Sequence, residues 1–182
     1  AINTEDGLKS LTGKGYLTDN ITLTSTWEPK SGVVLCLNGN SITATGDFNA
    51  IKVKDNTFTL CDCKGGSAEY GRITHAEQAD GTKYSGQGVY AIGTFNMYGG
   101  SISGNVSQHS SGVLLDNGAN SGGKGTAFNM YGGEITGNTA TNGAGGGVYV
   151  FANSPFRMYG GSISGNTAKY GGGGVYVGSE SV

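Results

Sequence analysis

Several features that usually organise a chain are scarce in this one. Of its 182 residues two are proline and one is tryptophan, and charged residues make up 13%. With 11 basic against 13 acidic side chains, no basic stripe exists to neutralise phosphates, which argues against nucleic acid as a partner. No apolar run approaches the roughly eighteen residues that cross a bilayer as a helix, so membrane insertion is not expected. The N-terminus carries no signal-peptide pattern. Cysteine is scarce as well: Cys36, Cys61 and Cys63 are too few for a disulfide scaffold and lack the paired spacing of a zinc site. After residue 15 no window has helical periodicity.

What the chain has in quantity is glycine, 36 residues, and a repeat. FNMYGGSISGN at 95–105 returns as FNMYGGEITGN at 128–138 and as FRMYGGSISGN at 156–166. The intervals are 33 and 28 residues, so the motif is kept while its spacing drifts, the mark of an invariant structural unit with variable loops. A second short run, such as Gly88-Val-Tyr-Ala or Gly147-Val-Tyr-Val, precedes each unit or, as Gly174-Val-Tyr-Val, follows the last. Earlier in the chain, Ile21-Thr-Leu-Thr and Val33-Val-Leu-Cys-Leu show the period-two alternation of strands.

Short strands separated by turn residues, recurring as units that cannot bury their inward residues alone, predict an all-β solenoid. The expected fold is a right-handed parallel β-helix with three short strands per turn and about five turns. Its inward columns can be written down: Ile51, Val89, Val113, Val148, Val175; Val53, Ala91, Leu115, Val150, Val177; Phe58, Phe95, Phe128, Phe156; Leu60, Met97, Met130, Met158; and Ile42, Ile73, Ile102, Ile135, Ile163. Residues 1–15, with Ile2, Leu8 and Leu11, are expected to cap the N-terminal end, and 16–182 to form the repeats. Gly99-Gly100 and its equivalents fall at corners, and Asn105, Asn138 and Asn166 are placed to form a hydrogen-bonded ladder. The last motif opens a repeat that does not continue, so the sequence reads as a piece of a longer protein with further domains.

The FxMxGGxIxGN and GGGVYV motifs resemble those of pectate-lyase-like, right-handed parallel β-helix domains in large surface proteins of Gram-positive and gut bacteria. The resemblance covers roughly residues 15 to 182. It implies a secreted or cell-surface bacterial protein whose relatives are adhesive or stalk modules. The wider fold class includes polysaccharide lyases, glycosidases and phage tailspikes, so fold alone does not assign an activity.

Cleavage of a polysaccharide on such a scaffold requires carboxylates gathered on one outer face. The outward Asp62, Asp116 and Glu134 fall on different levels, and the column Arg72, Ser101, Glu134, Ser162 holds one carboxylate. The densest polar group, Asp62, Glu69, Arg72, His75, Glu77 and Asp80, reads as solvated loops, and His75 and His109 as surface residues. No catalytic residue, metal ligand or cofactor is assigned. Cys36 and Cys61 take the place of the later tyrosines on neighbouring turns, leaving open a disulfide across adjacent turns or free thiols.

Outward aromatics are the stronger signal. Tyr98, Tyr131 and Tyr159 each follow an inward Met, and Asn96, Asn129 and Arg157 precede them on the same face. Aromatic rings beside hydrogen-bonding groups suit a glycan or a host-surface protein. A second set, Tyr90, Leu114, Tyr149 and Tyr176, lies between inward valines. Either ladder also has a purely structural reading, like-on-like contact across strands. The expected function is therefore a non-catalytic module for adhesion, ligand binding or spacing. A carbohydrate-active enzyme fragment is the alternative.

Overall fold

The computed structural model describes residues 1–64, 70–117, 126–151 and 154–178. Among them, one short helix is followed by twenty strands, and the strands pair in parallel. The strands fall into stacked sheets because each turn presents its residues in the same order. The first side of each turn is β1 (Lys14–Tyr16), β3 (Val33–Cys36), β6 (Thr57–Cys61), β9 (Thr94–Met97), β13 (Ala127–Met130) and β17 (Phe156–Met158), adjacent in that order. The second side is β2 (Ile21–Leu23), β4 (Ile42–Ala44), β7 (Arg72–His75), β10 (Ser101–Ser103), β14 (Glu134–Thr136) and β18 (Ser162–Ser164). The third is β5 (Ile51–Val53), β8 (Val89–Ala91), β12 (Val113–Leu115), β16 (Val148–Val150) and β20 (Val175–Val177). A bridge from Trp27 to Ile51 completes the third side of the first turn, giving six levels.

The last three turns add a strand that the sequence does not announce. β11 (Val106–Ser107), β15 (Thr139–Ala140) and β19 (Thr167–Ala168) form a small sheet of their own between the second and third sides. Two residues are too few for alternation to be visible, which is why they read as turn.

Every inward column assembles in register. Ile51, Val89, Val113, Val148 and Val175 are successive partners, as are the isoleucines from Ile42 to Ile163. The phenylalanine rings stack with centroids 5.8, 4.9 and 5.0 Å apart from Phe58 to Phe156. Such pairs contribute roughly 0.5–1.5 kcal/mol each beyond their burial. Val33 holds the next place above Phe58, and Trp27 meets the Phe58 ring edge-on at 5.4 Å.

Two devices hold the corners. At Gly133 and Gly161 the backbone has φ of 88° and 87°, and a Cβ would lie 2.6 Å from the carbonyl of the equivalent glycine one turn earlier. Only glycine meets both demands. Asn105, Asn138 and Asn166 form a ladder, the first two fully buried: the Asn105 Nδ2 donates to Asn138 Oδ1 and the Asn138 Nδ2 to Asn166 Oδ1, each at 2.9 Å. The same oxygens accept the backbone N–H of Asn105 and Asn138 at 3.0 and 2.9 Å. The ladder thus satisfies backbone groups inside the coil where no ladder strand reaches them.

His75 sits at the head of this ladder, and here the expectation of a surface histidine is wrong. It is 1% exposed, with Nδ1 2.7 Å from Asn105 Oδ1 and Nε2 2.7 Å from the Phe48 carbonyl oxygen. The turn that carries it has no asparagine at that level, and the imidazole fills the place.

The N-terminal end is covered by α1 (Glu5–Ser10), whose N-cap Thr4 accepts a hydrogen bond from the Gly7 N–H at 3.1 Å. Leu8 is fully buried beneath it and Ile2 nearly so, with Leu11 packed against the same cluster. Glu5 on this helix accepts from the Thr24 N–H at 2.9 Å, tying the helix to the chain just past β2.

Candidate functional site

Alternation along β9, β13 and β17 sends Phe and Met inward, Asn96, Asn129 and Arg157 outward, and the following tyrosine out at the corner. Tyr98, Tyr131 and Tyr159 are 56%, 41% and 64% exposed, and each N–H donates to a carbonyl of the preceding turn at 2.7–2.8 Å. Their rings lie 4.5 and 4.9 Å apart with planes within 11° and 8° of parallel. The six predicted residues therefore share one face. Asn129 Nδ2 donates to Asn96 Oδ1 at 2.9 Å, and Arg157 occupies the equivalent position on the next turn.

The stacking has a consequence that spacing alone did not reveal. Rings stacked on one another offer solvent their edges and hydroxyls, while their faces are taken by neighbours. Only the outermost faces of the stack, on Tyr98 and Tyr159, are left uncovered by another ring of the set. Partial desolvation, and then the adjoining Tyr98 and Tyr159 phenols, push the Tyr131 hydroxyl above the usual tyrosine range. The row presents phenol hydroxyls, able both to donate and to accept, beside one guanidinium.

Continued toward the N-terminus, the tyrosine column becomes Cys61, Cys36 and Tyr16, the last three in register on β6, β3 and β1. Cys36 is bonded not to its register partner but to Cys63, two residues beyond it, with Cα atoms 6.1 Å apart. Cys61 keeps a free thiol, which burial, and then the charge of Asp62, push above the ordinary range.

The second aromatic column, Tyr90, Leu114, Tyr149 and Tyr176, is also in register. Leu114, Tyr149 and Tyr176 line a cleft of about 500 Å³ with Phe151, Tyr170, His109 and Asp116. The Tyr90 hydroxyl donates to Asp116 at 2.8 Å, and burial together with that carboxylate raises its pKa to about 12. Tyr170 and Phe151, from loops after β19 and β16, have no repeat signal and so escape a reading based on columns.

The polar group read as solvated loops does not gather into one site among the described residues. Asp62 spends its carboxylate on the backbone N–H groups of Gly39, Lys64 and Gly71 at 2.6–3.1 Å. Asp80 is held within its own turn by Thr82. Arg72, His75 and Glu77 line a shallow groove with Lys83, whose Nζ donates to the Gly104 carbonyl at 2.9 Å. Glu69 lies outside the described residues, as do parts of the 64–70 and 116–126 loops. Among the described residues, the cysteine trio alone brings three or more His, Cys, Asp or Glu side chains close enough to share an ion. No described helix is long and apolar enough to cross a membrane.

No protein-family model, no curated protein and no solved structure matches the chain.

Proposed function

We propose that this β-helix is a non-catalytic binding module, displayed on the surface of a secreted bacterial protein of the pectate-lyase-like repeat type. Its ligand class is a glycan, neutral or mildly acidic. The observation that carries this reading is the exposed row Tyr98, Tyr131 and Tyr159, repeated turn by turn beside Asn96, Asn129 and Arg157. Its edges and phenol hydroxyls meet an extended chain lying along the coil, and Arg157 adds a positive charge for an acidic sugar. Each contact is weak, so affinity grows with modules displayed side by side. Asp62 and Asp80 spend their carboxylates on backbone N–H groups and on Thr82, which speaks for binding over acid–base hydrolysis at those positions.

A glycan array probed with the wild-type chain and with the Tyr131→Ala, Tyr159→Ala double variant tests the proposal, alongside a lyase and glycosidase panel. The expected outcome is selective glycan binding that the double change abolishes while far-UV circular dichroism stays unchanged. Binding that survives in the folded double variant moves the site elsewhere, with the Tyr149–Tyr176 cleft next to be mutated. Turnover of a polysaccharide would replace the proposal with the enzyme reading.

A further inference from the structure

Three sulfur atoms meet on the first-side sheet. Cys36 and Cys61 are register partners on β3 and β6, and Cys63 follows just past the end of β6. Their Sγ atoms all lie within 4.8 Å of one another. The cluster grades from buried Cys36 through half-buried Cys61 to exposed Cys63. A pocket of about 380 Å³, lined also by Lys14, Tyr16, Val34 and Asn38, opens onto it and provides a way in.

In this structure Cys36 and Cys63 are joined and Cys61 is the thiol. An external dithiol reduces the bond, leaving two cysteine thiols and its own disulfide, and the cluster then holds three thiols. We propose that the reduced Cys36, Cys61 and Cys63 cluster binds a soft, closed-shell cation of the Cu(I) class. Thiolates select such ions over hard ones. Three metal–sulfur bonds of about 2.3 Å in a plane set the sulfurs about 4.0 Å apart, inside the spread found here. No fourth His, Cys, Asp or Glu among the described residues joins the group, which suits a three-coordinate ion. Asp62, beside Cys61, is occupied by backbone N–H groups.

The surroundings support a thiolate cluster. The Cys63 N–H donates to Cys36 Sγ at 2.9 Å, the kind of outer hydrogen bond that steadies a metal-bound sulfur. Lys14 at the pocket lining offsets charge, because three thiolates and one monovalent ion carry two net negative charges. Binding releases the three thiol protons to solvent and moves no electrons. The disulfide removes two of the three ligands, so oxidation closes the site.

The test uses the whole chain, reduced with a phosphine under nitrogen and titrated with Cu(I) against a chromophoric Cu(I) chelator. The expected result is one Cu(I) per chain with a near-ultraviolet thiolate-to-copper band. Cys36→Ser, Cys61→Ser and Cys63→Ser should each weaken binding by at least the roughly 10–100-fold that loss of even an outer partner costs. The unreduced chain should fail to compete. If Cys36→Ser does not fold, the exposed Cys63 supplies the same test. Failure of the reduced wild type to compete, or full binding by folded Cys61→Ser, overturns the proposal. Neither outcome bears on glycan binding at the tyrosine row.

Discussion

The first three turns and the last three are built on the same columns by different means. From the fourth turn to the sixth, the first side and the ladder repeat their inward and corner residues: Phe on Phe, Met on Met, Tyr on Tyr, Asn on Asn. In the first three turns the columns are patched: Val33 and Trp27 end the phenylalanine stack, His75 stands above the asparagine ladder, and cysteines replace tyrosines. The patched half ends under a helix, and its inward columns are buried from Ile21 to Ala91. In the regular half no described residue stacks beyond the sixth turn: Met158 is 46% exposed where Met130 is fully buried, and Val177 is 69% exposed against 6% for Val150. A column residue is therefore buried by its neighbours above and below, not by its own identity.

The largest test of that lesson is Phe128→Ala. Its ring is held between Phe95 and Phe156, so the cavity should cost about 3–5 kcal/mol in chemical denaturation. Phe156→Ala, with a neighbour on one side, should cost clearly less. Equal losses would show that burial does not depend on the next turn.

A smaller effect is expected in the ladder. Asn138→Ala leaves the backbone N–H and side-chain amide of Asn105 without their shared acceptor, a loss of about 1–3 kcal/mol for a buried site. Asn166→Ala, half-buried in the last turn, should lower the melting temperature less. The reverse order would make the ladder a local capping device indifferent to stacking.

The smallest effect concerns Tyr90, where the two halves meet. Its folded pKa of about 12 lies above the usual value of 10, so the folded state holds this proton more tightly. The stabilisation is present below pH 10 and is lost as pH rises from 10 toward 12. Tyr90→Phe should flatten that part of the melting-temperature profile. An unchanged slope would assign the alkaline loss to other tyrosines.

The inward columns were legible because alternation reports which side of a strand a residue takes, and the five written from the sequence assemble in register. The outward face of Tyr98, Tyr131 and Tyr159 followed from the same rule. That their rings would stack on one another, leaving edges for a ligand, did not follow, since side-chain torsions are settled by neighbouring turns. His75 was misread as part of a polar loop, whereas it ends β7, two residues past the inward Ile73, where alternation turns it inward; its partners Phe48 and Asn105 lie 27 and 30 residues away in sequence. The partner of Cys36 could not be read either: it depends on how the chain leaves β6.

By itself, then, the sequence determined the strands of the three main sides, the faces they bury and the repetition that makes a solenoid, because a two-residue period and recurring glycine corners are local properties. Tertiary structure alone decided what meets across turns: which cysteines join, what heads the asparagine ladder, how the tyrosine rings lie, and where Tyr170 and Phe151 close a cleft. Those contacts join residues separated by whole turns and variable loops, and only the register of stacking brings them together.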